Sequence, residues 1–219
     1  MGNIIAAGLK KQIGDLSTQD LSIFVKSKLI PFFFQLLGQG FLVNVPANCS
    51  IRDLIVECLG IPDDYLEERI QTLFLNGTVV DNLNSCSIKE SSTLALSGAM
   101  PGLAGAVLRR GGFYSSFRRQ ISHTENQSRI DKDNHWIVLK LFNMIVKELG
   151  PGFLAKGIWM EGEKLQKFLR RHSEELRMHG TSGDMNGKPA DIDSLLKFDW
   201  KPHLVFLRVK PELQSRRKK

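Results

Sequence analysis

Arg109, Arg110, Gly111 and Gly112 stand side by side, and Phe113, Tyr114, Phe117, Arg118 and Arg119 follow them closely. A glycine pair in this setting reads as a chemical handle, an anion cradle or a bend between two domains. Five glycines, Gly98, Gly102, Gly105, Gly111 and Gly112, fall within the sixteen residues Ser97–Gly112. Glycine-rich turns let successive backbone N–H groups converge on an anion, and flanking arginines strengthen such a nest. The spacing fits neither GxGxxG nor GxxxxGK[ST], so no nucleotide motif is present. Aromatic side chains among arginines also suit a protein-docking segment, since both types concentrate at interface centres. The same aromatics would stack on unpaired bases while the arginines track phosphates. No helix-turn-helix, zinc-finger or RNP signature accompanies them, which leaves nucleic acid as a lesser alternative. The plainest reading is a linker, with Met100, Leu103 and Val107 packed.

Other chemistry is sparse. There is no GxSxG, HExxH or CxxC. Cys49, Cys58 and Cys86 are odd in number and unpaired in spacing. That opposes a disulfide framework and a zinc cage, favours a reducing interior, and reads as small buried apolar residues. His172 and His179 lie seven apart on an expected helix with no third ligand, and read as solvated. Asp184, Met185, Asn186 and Gly187 open like a calcium loop, yet the following "KPADID" lacks its closing glutamate. No catalytic residue, metal or cofactor is therefore assigned.

The elements that hold the arginine-glycine stretch come from composition and repetition. A chain of 219 residues with 42% apolar content can bury a real core. Leu29–Ile51 carries no charge, but Pro31, Gln35, Gly38, Gln39, Gly40, Asn44, Pro46 and Asn48 interrupt it. It reads as a core helix running into a buried strand, not as a membrane span. The start, "MGNIIAAGLKKQ", fits neither a secretory signal nor the myristoylation pattern. The reducing interior that the cysteines favour makes the cytoplasm the expected location. Residues 1–103 carry a net charge of −3 and residues 104–219 a net of +10. The excess lies in the central arginines and in the tail Arg216–Lys219, which would draw phosphates or acidic surfaces.

Three pairs of segments recur at nearly one offset. Leu37, Gly38, Gly40, Phe41 and Leu42 return 112 positions later as Leu149, Gly150, Gly152, Phe153 and Leu154. Asn76, Gly77 and Asp81 return after 110 positions as Asn186, Gly187 and Asp191, and Leu94 returns as Leu204. The chain thus reads as two tandem modules: 1–103, a basic linker 104–130, and 131–219. Each is expected to open with an amphipathic helix, Gln19–Leu37 and Asn134–Leu149, closed by Leu-Gly. Short strands, "FLVNV" and "GIWM", come next. The helix after the first strand is capped by Ser50 with Asp53 three residues on. Asn76-Gly77 and Asn186-Gly187 then make tight hairpin turns, and "STLALS" and His203–Val209 supply the last strands.

"VNVPANCSIRDLI", "LFLNGTVVD", "KESSTLALS" and the trailing "VLRRGG" together resemble the later part of a β-grasp domain, over about residues 40–112. A weaker second copy covers about 152–210. That family holds ubiquitin and the small sulfur-carrier proteins of thiamine and molybdopterin synthesis. The resemblance implies an α+β fold of two ubiquitin-like modules, here each with an added N-terminal helix where the family has its first strand. It also implies a C-terminal Gly-Gly whose carboxylate is activated, but here 107 residues follow Gly112. A carrier or modifier role would need cleavage after Gly112. The expected function is a non-enzymatic adaptor that binds another protein through Arg109–Arg119. Exposed strand edges are compatible with a homodimer.

Overall fold

Leu21, Ile23 and Val25 are buried in alternation, and Ser17–Val25 is a strand, β1, in the computed structural model. The structure describes residues 16–47, 49–84, 88–114 and 134–212. Ile137, Leu139 and Leu141 alternate in the same way along a second strand, β6, His135–Phe142. The N-terminal helices expected at Gln19–Leu37 and Asn134–Leu149 are therefore each a strand that leads into a helix. After β1 come a 3-10 helix, Ser27–Phe33, which contains Pro31, and α1, Phe34–Gln39. The helix after β6 is named below with its neighbours. Leu21, Phe24 and Val25 satisfy helical spacing and Leu21, Ile23 and Val25 satisfy period two, so the pattern alone fits both. The β-branched side chains and a distant partner strand decide for extension.

Local signals elsewhere give the expected elements. Strand β2, Phe41–Val45, leads to Ser50, whose hydroxyl accepts the Asp53 N–H at 3.1 Å. That cap opens α2, Ile51–Asp53, which widens into a π-type turn over Leu54–Cys58. Helix α3 follows at Asp63–Arg69. Strands β3, Thr72–Leu75, and β4, Thr78–Val79, are joined by Asn76 and Gly77 at φ 53° and 81°. Asparagine and glycine tolerate these left-handed angles, as a two-residue hairpin turn requires. Strand β5, Thr93–Ser97, and helix α4, Gly102–Leu108, lead into the arginine-glycine stretch.

The second half continues from β6 with α5, Asn143–Lys156, and β7, Ile158–Glu161. The helix expected to carry His172 and His179 is broken in two at His172, giving α6, Gly162–Arg171, and α7, Ser173–His179. Strands β8, Gly180–Met185, and β9, Lys188–Ala190, are joined by Asn186 and Gly187 at φ 54° and 78°. Helix α8, Ile192–Lys197, and strand β10, His203–Pro211, complete the order. The fold is α+β with ten strands in mixed pairing. No described helix is long and apolar enough to cross a membrane.

These elements form two compact units whose membership does not follow the order of the chain. One gathers Leu42–Glu148, and the other gathers Ile13–Phe41 with Leu149–Lys219. The described part of the expected linker, residues 104–114, falls in the first unit. In that unit the strands run β4-β3-β5-β6-β2, with β5 parallel to β6 from Thr93↔Val138 to Ser97↔Phe142. Its core joins Ile51, Leu54, Ile55 and Leu66 to Leu73, Leu94, Leu96 and the inward residues of β6. In the second unit the strands run β7-β10-β1-β8-β9. There β1 is parallel to β10 over nine residues, Ser17↔His203 to Val25↔Pro211, and antiparallel to β8. Phe33, Leu36, Leu37, Leu165, Phe168 and Trp200 pack against these strands. The parallel central pair is ordered differently in the two units: β6 stands beside β2, whereas β1 stands beside β8.

Candidate docking turn

Helix α4 begins at Gly102, whose φ of 75° lies in the left-handed region, and it turns tightly over Gly105. A Cβ at Gly105 would lie 1.7 Å from the Met100 carbonyl oxygen, so only glycine fits there. After α4 the chain makes a four-residue turn. The Gly112 N–H donates to the Arg109 carbonyl at 3.1 Å, and Gly111 has a φ of 61°. This is the pattern in which the third residue must adopt positive φ, the normal station of glycine.

The turn is pinned to the first unit at several points. The Arg110 N–H donates to the Gln71 carbonyl at 2.8 Å, and the Gly111 N–H reaches Asp81 Oδ1 at 3.4 Å. The Arg110 guanidinium donates to the Leu66 carbonyl at 3.2 Å and pairs with Glu67 at 2.8 Å, with its side chain only 14% exposed. Glu67 also holds Arg52, which pairs with Asp63 as well. Hydrogen bonding from Arg110 chiefly, with the charges of Arg110 and Arg52 behind it, keeps the Glu67 carboxyl below the usual glutamate range. Arg110 is therefore an anchor and not a free docking cation. Arg109 is exposed and borders a cavity of about 220 Å³ lined also by Gln71, Thr72, Met100 and Gly105.

What this pinned turn presents is apolar. Phe113 is 88% exposed and meets Tyr114 edge to face with centroids 5.2 Å apart, and Leu103 on α4 is 75% exposed. Leu103 was expected to pack and does not, whereas Gly105 is the buried residue of that helix. Phe117, Arg118 and Arg119 lie outside the described residues. Sequence reasoning missed Glu67, Leu66 and Asp81 as the partners that fix the turn. Each is far from it along the chain, and nothing in their local pattern signals the contact.

Replacing Arg110 by alanine is expected to speed amide exchange at Gly111 and Gly112 and to cost about 1–2 kcal/mol of stability. Urea melts combined with hydrogen exchange read both effects. The contribution of Glu67 carries a pH signature. Its carboxyl titrates lower in the folded chain than in the unfolded one. Its stabilising effect is complete above the ordinary glutamate range and fades as pH falls through the lowered value.

The remaining candidates are not brought together. Cys49 is half-buried and Cys58 exposed, so neither is the fully buried residue expected, and Cys86 lies outside the described residues. Burial first, then the charges of Cys58 and Asp53, push the Cys49 thiol up to about 11, far from the thiolate a nucleophile needs. Burial, with Asp53 and Glu57, also raises Cys58. His172 is buried and not solvated, and it sits at the break between α6 and α7. Its Nε2 lies 3.2 Å from Gln35 Oε1. Asp184 closes the β8–β9 turn by accepting the Gly187 N–H at 2.7 Å. Among the described residues no group of three His, Cys, Asp or Glu could hold a metal ion.

No protein-family model, characterised protein or solved structure matches this chain significantly.

Proposed function

We propose that the protein is a non-enzymatic, cytoplasmic adaptor that binds another protein through the turn at Arg109–Tyr114 and the exposed face of α4. The observation that carries this reading is Phe113, 88% exposed on a backbone pinned through Arg110 to Gln71, Leu66 and Glu67. A large aromatic held on an ordered turn loses little freedom when it is buried by a partner. Tyr114 and Leu103 enlarge the apolar area beside it, and Arg109 adds a cation at its rim. A photo-reactive amino acid placed at Phe113 in the native cells is expected to cross-link one partner reproducibly, while the same group at Met178, also exposed, does not. Against that partner, Phe113→Ser is expected to weaken binding about tenfold or more, the scale of an aromatic anchor. Unchanged affinity would overturn the reading.

A second reading, a ubiquitin-like carrier cut after Gly112, draws support from the first unit. There β6 lies beside β2 and parallel to β5, where the resemblance requires the family's first strand. Intact mass of the protein from its native cells tests it. A species ending at Gly112 is the expected result for the carrier, and only full-length chain is the expected result for the adaptor.

A further inference from the structure

The second unit contains a groove of about 400 Å³ between α1 and α6, lined by Gln35, Gln39, Lys164, Lys167, Phe168 and Arg171. Its volume falls in the range of small-molecule sites. Its polar lining is built almost wholly of donors. Lys164, Lys167 and Arg171 follow one another at i, i+3 and i+7 and so share one face of α6. Among the described residues no carboxylate lines the groove.

The glutamine facing them is held in a fixed sense. Gln35 Oε1 lies 3.2 Å from His172 Nε2, and an amide oxygen only accepts, so the ring nitrogen donates. This leaves the Gln35 amide NH₂ as the group it can offer to the groove. His172 is itself held between Phe32 at 5.5 Å and Phe168 at 4.7 Å, with Nδ1 buried and unpartnered. The histidine thus acts on the groove through Gln35.

The cations are available. Half-buried Lys164 pairs with Glu161 at 3.2 Å, and exposed Lys167 with Glu163 at 2.7 Å. Ion pairs as open to solvent as these are worth about 0–1 kcal/mol, so an anion in the groove displaces them at little cost. Arg171 has no carboxylate within ion-pair distance among the described residues. A rise of 1.5 Å per residue sets Lys164 and Arg171 about 10 Å apart along the helix axis, which is more than one phosphate spans.

We propose that this groove binds a small molecule carrying two or more linked phosphates. Lys164 and Arg171 hold its ends, Lys167 holds its middle, and Gln35 donates to a bridging or terminal oxygen. The site is separate from the docking turn and does not depend on the adaptor reading. Its test is isothermal titration of the full chain with pyrophosphate, inorganic phosphate and a single-stranded 12-mer DNA, with Arg171→Ala and Arg170→Ala variants. Arg170 is exposed on the same helix but does not line the groove. The expected result is one saturable pyrophosphate site, weakened about tenfold by Arg171→Ala, as for a lost charged hydrogen bond, and unchanged by Arg170→Ala. Amide-detected spectra should show the Gln35 side-chain NH₂ shifting on titration. No binding, equal losses in the two variants, or inorganic phosphate binding as tightly as pyrophosphate would overturn it. So would DNA binding more tightly than pyrophosphate and failing in Arg171→Ala, since the occupant would then be a nucleic-acid backbone.

Discussion

Residues 1–103 made alone are expected to lack a cooperative melt, and so are residues 131–219, although each spans one full copy of the sequence repeat. The compact units cross the repeat boundary: β6 belongs with Leu42–Glu148, and β1 belongs with Leu149–Lys219. Without β6, strand β5 loses its parallel partner along Thr93–Ser97, and Leu94 and Leu96 lose the cover of Ile137, Leu139 and Leu141. Without β1, strand β10 loses a nine-residue ladder and β8 loses its antiparallel neighbour. Each missing strand removes three fully buried aliphatic side chains, about 5–9 kcal/mol of burial. That is comparable with the whole stability of an ordinary domain. Far-UV circular dichroism and urea titration of each fragment check this, and mixing the two fragments should restore a cooperative transition. A fragment of residues 42–148, which keeps β6 with its partners, should melt cooperatively alone. Cooperative melting of 1–103 would show that the units do follow the chain.

The same exchange explains which features the sequence announces. The Ser50 cap, the Asn76-Gly77 and Asn186-Gly187 turns and strands β2, β5, β7 and β10 are written in residues next to one another. Their physics is local: a hydroxyl reaching an N–H three residues on, or an asparagine that tolerates left-handed φ. Strands β1 and β6 are different, because the choice between strand and helix for "LSIFV" or "WIVLKL" depends on whether β10 or β5 lies alongside. Those partners stand more than a hundred residues from β1 and about forty from β6. The candidate site divides in the same way. The glycine turn and exposed Phe113 follow from residue types at Arg109–Phe113, but the conversion of Arg110 from docking cation to anchor depends on Glu67, 43 positions away. The α1–α6 groove was silent for the same reason. Gln35 reads alone as a polar break in an apolar run, and nothing in the local pattern ties it to Lys164, 129 positions on.

Trp200→Ala is expected to lower the stability of the second unit by about 3–5 kcal/mol, the range for removing a fully buried aromatic. Trp200 is wholly buried, meets Phe198 at a tilt with centroids 4.6 Å apart, and donates its indole N–H to the Leu195 carbonyl at 2.8 Å. The substitution therefore opens a cavity and also strips a buried carbonyl of its donor, and the two costs add. Trp200→Phe separates them, since the ring volume is mostly kept while the hydrogen bond is lost, and should cost about 1–2 kcal/mol. The backbone here is as constrained as the side chain. A Cβ at Gly162 would lie 1.8 Å from the Trp200 carbonyl oxygen and 2.8 Å from that of His203. Gly162→Ala must push the start of α6 away from this loop, so it should destabilise the same elements without touching the indole. Thermal melts by circular dichroism, read with hydrogen exchange, provide the check: protection in β7, β8 and β10 should fall in Trp200→Ala and Gly162→Ala. If Trp200→Ala melts like the parent chain, the indole is not the keystone of that core, and the packing of α8 and β10 around it must be looser than its burial implies.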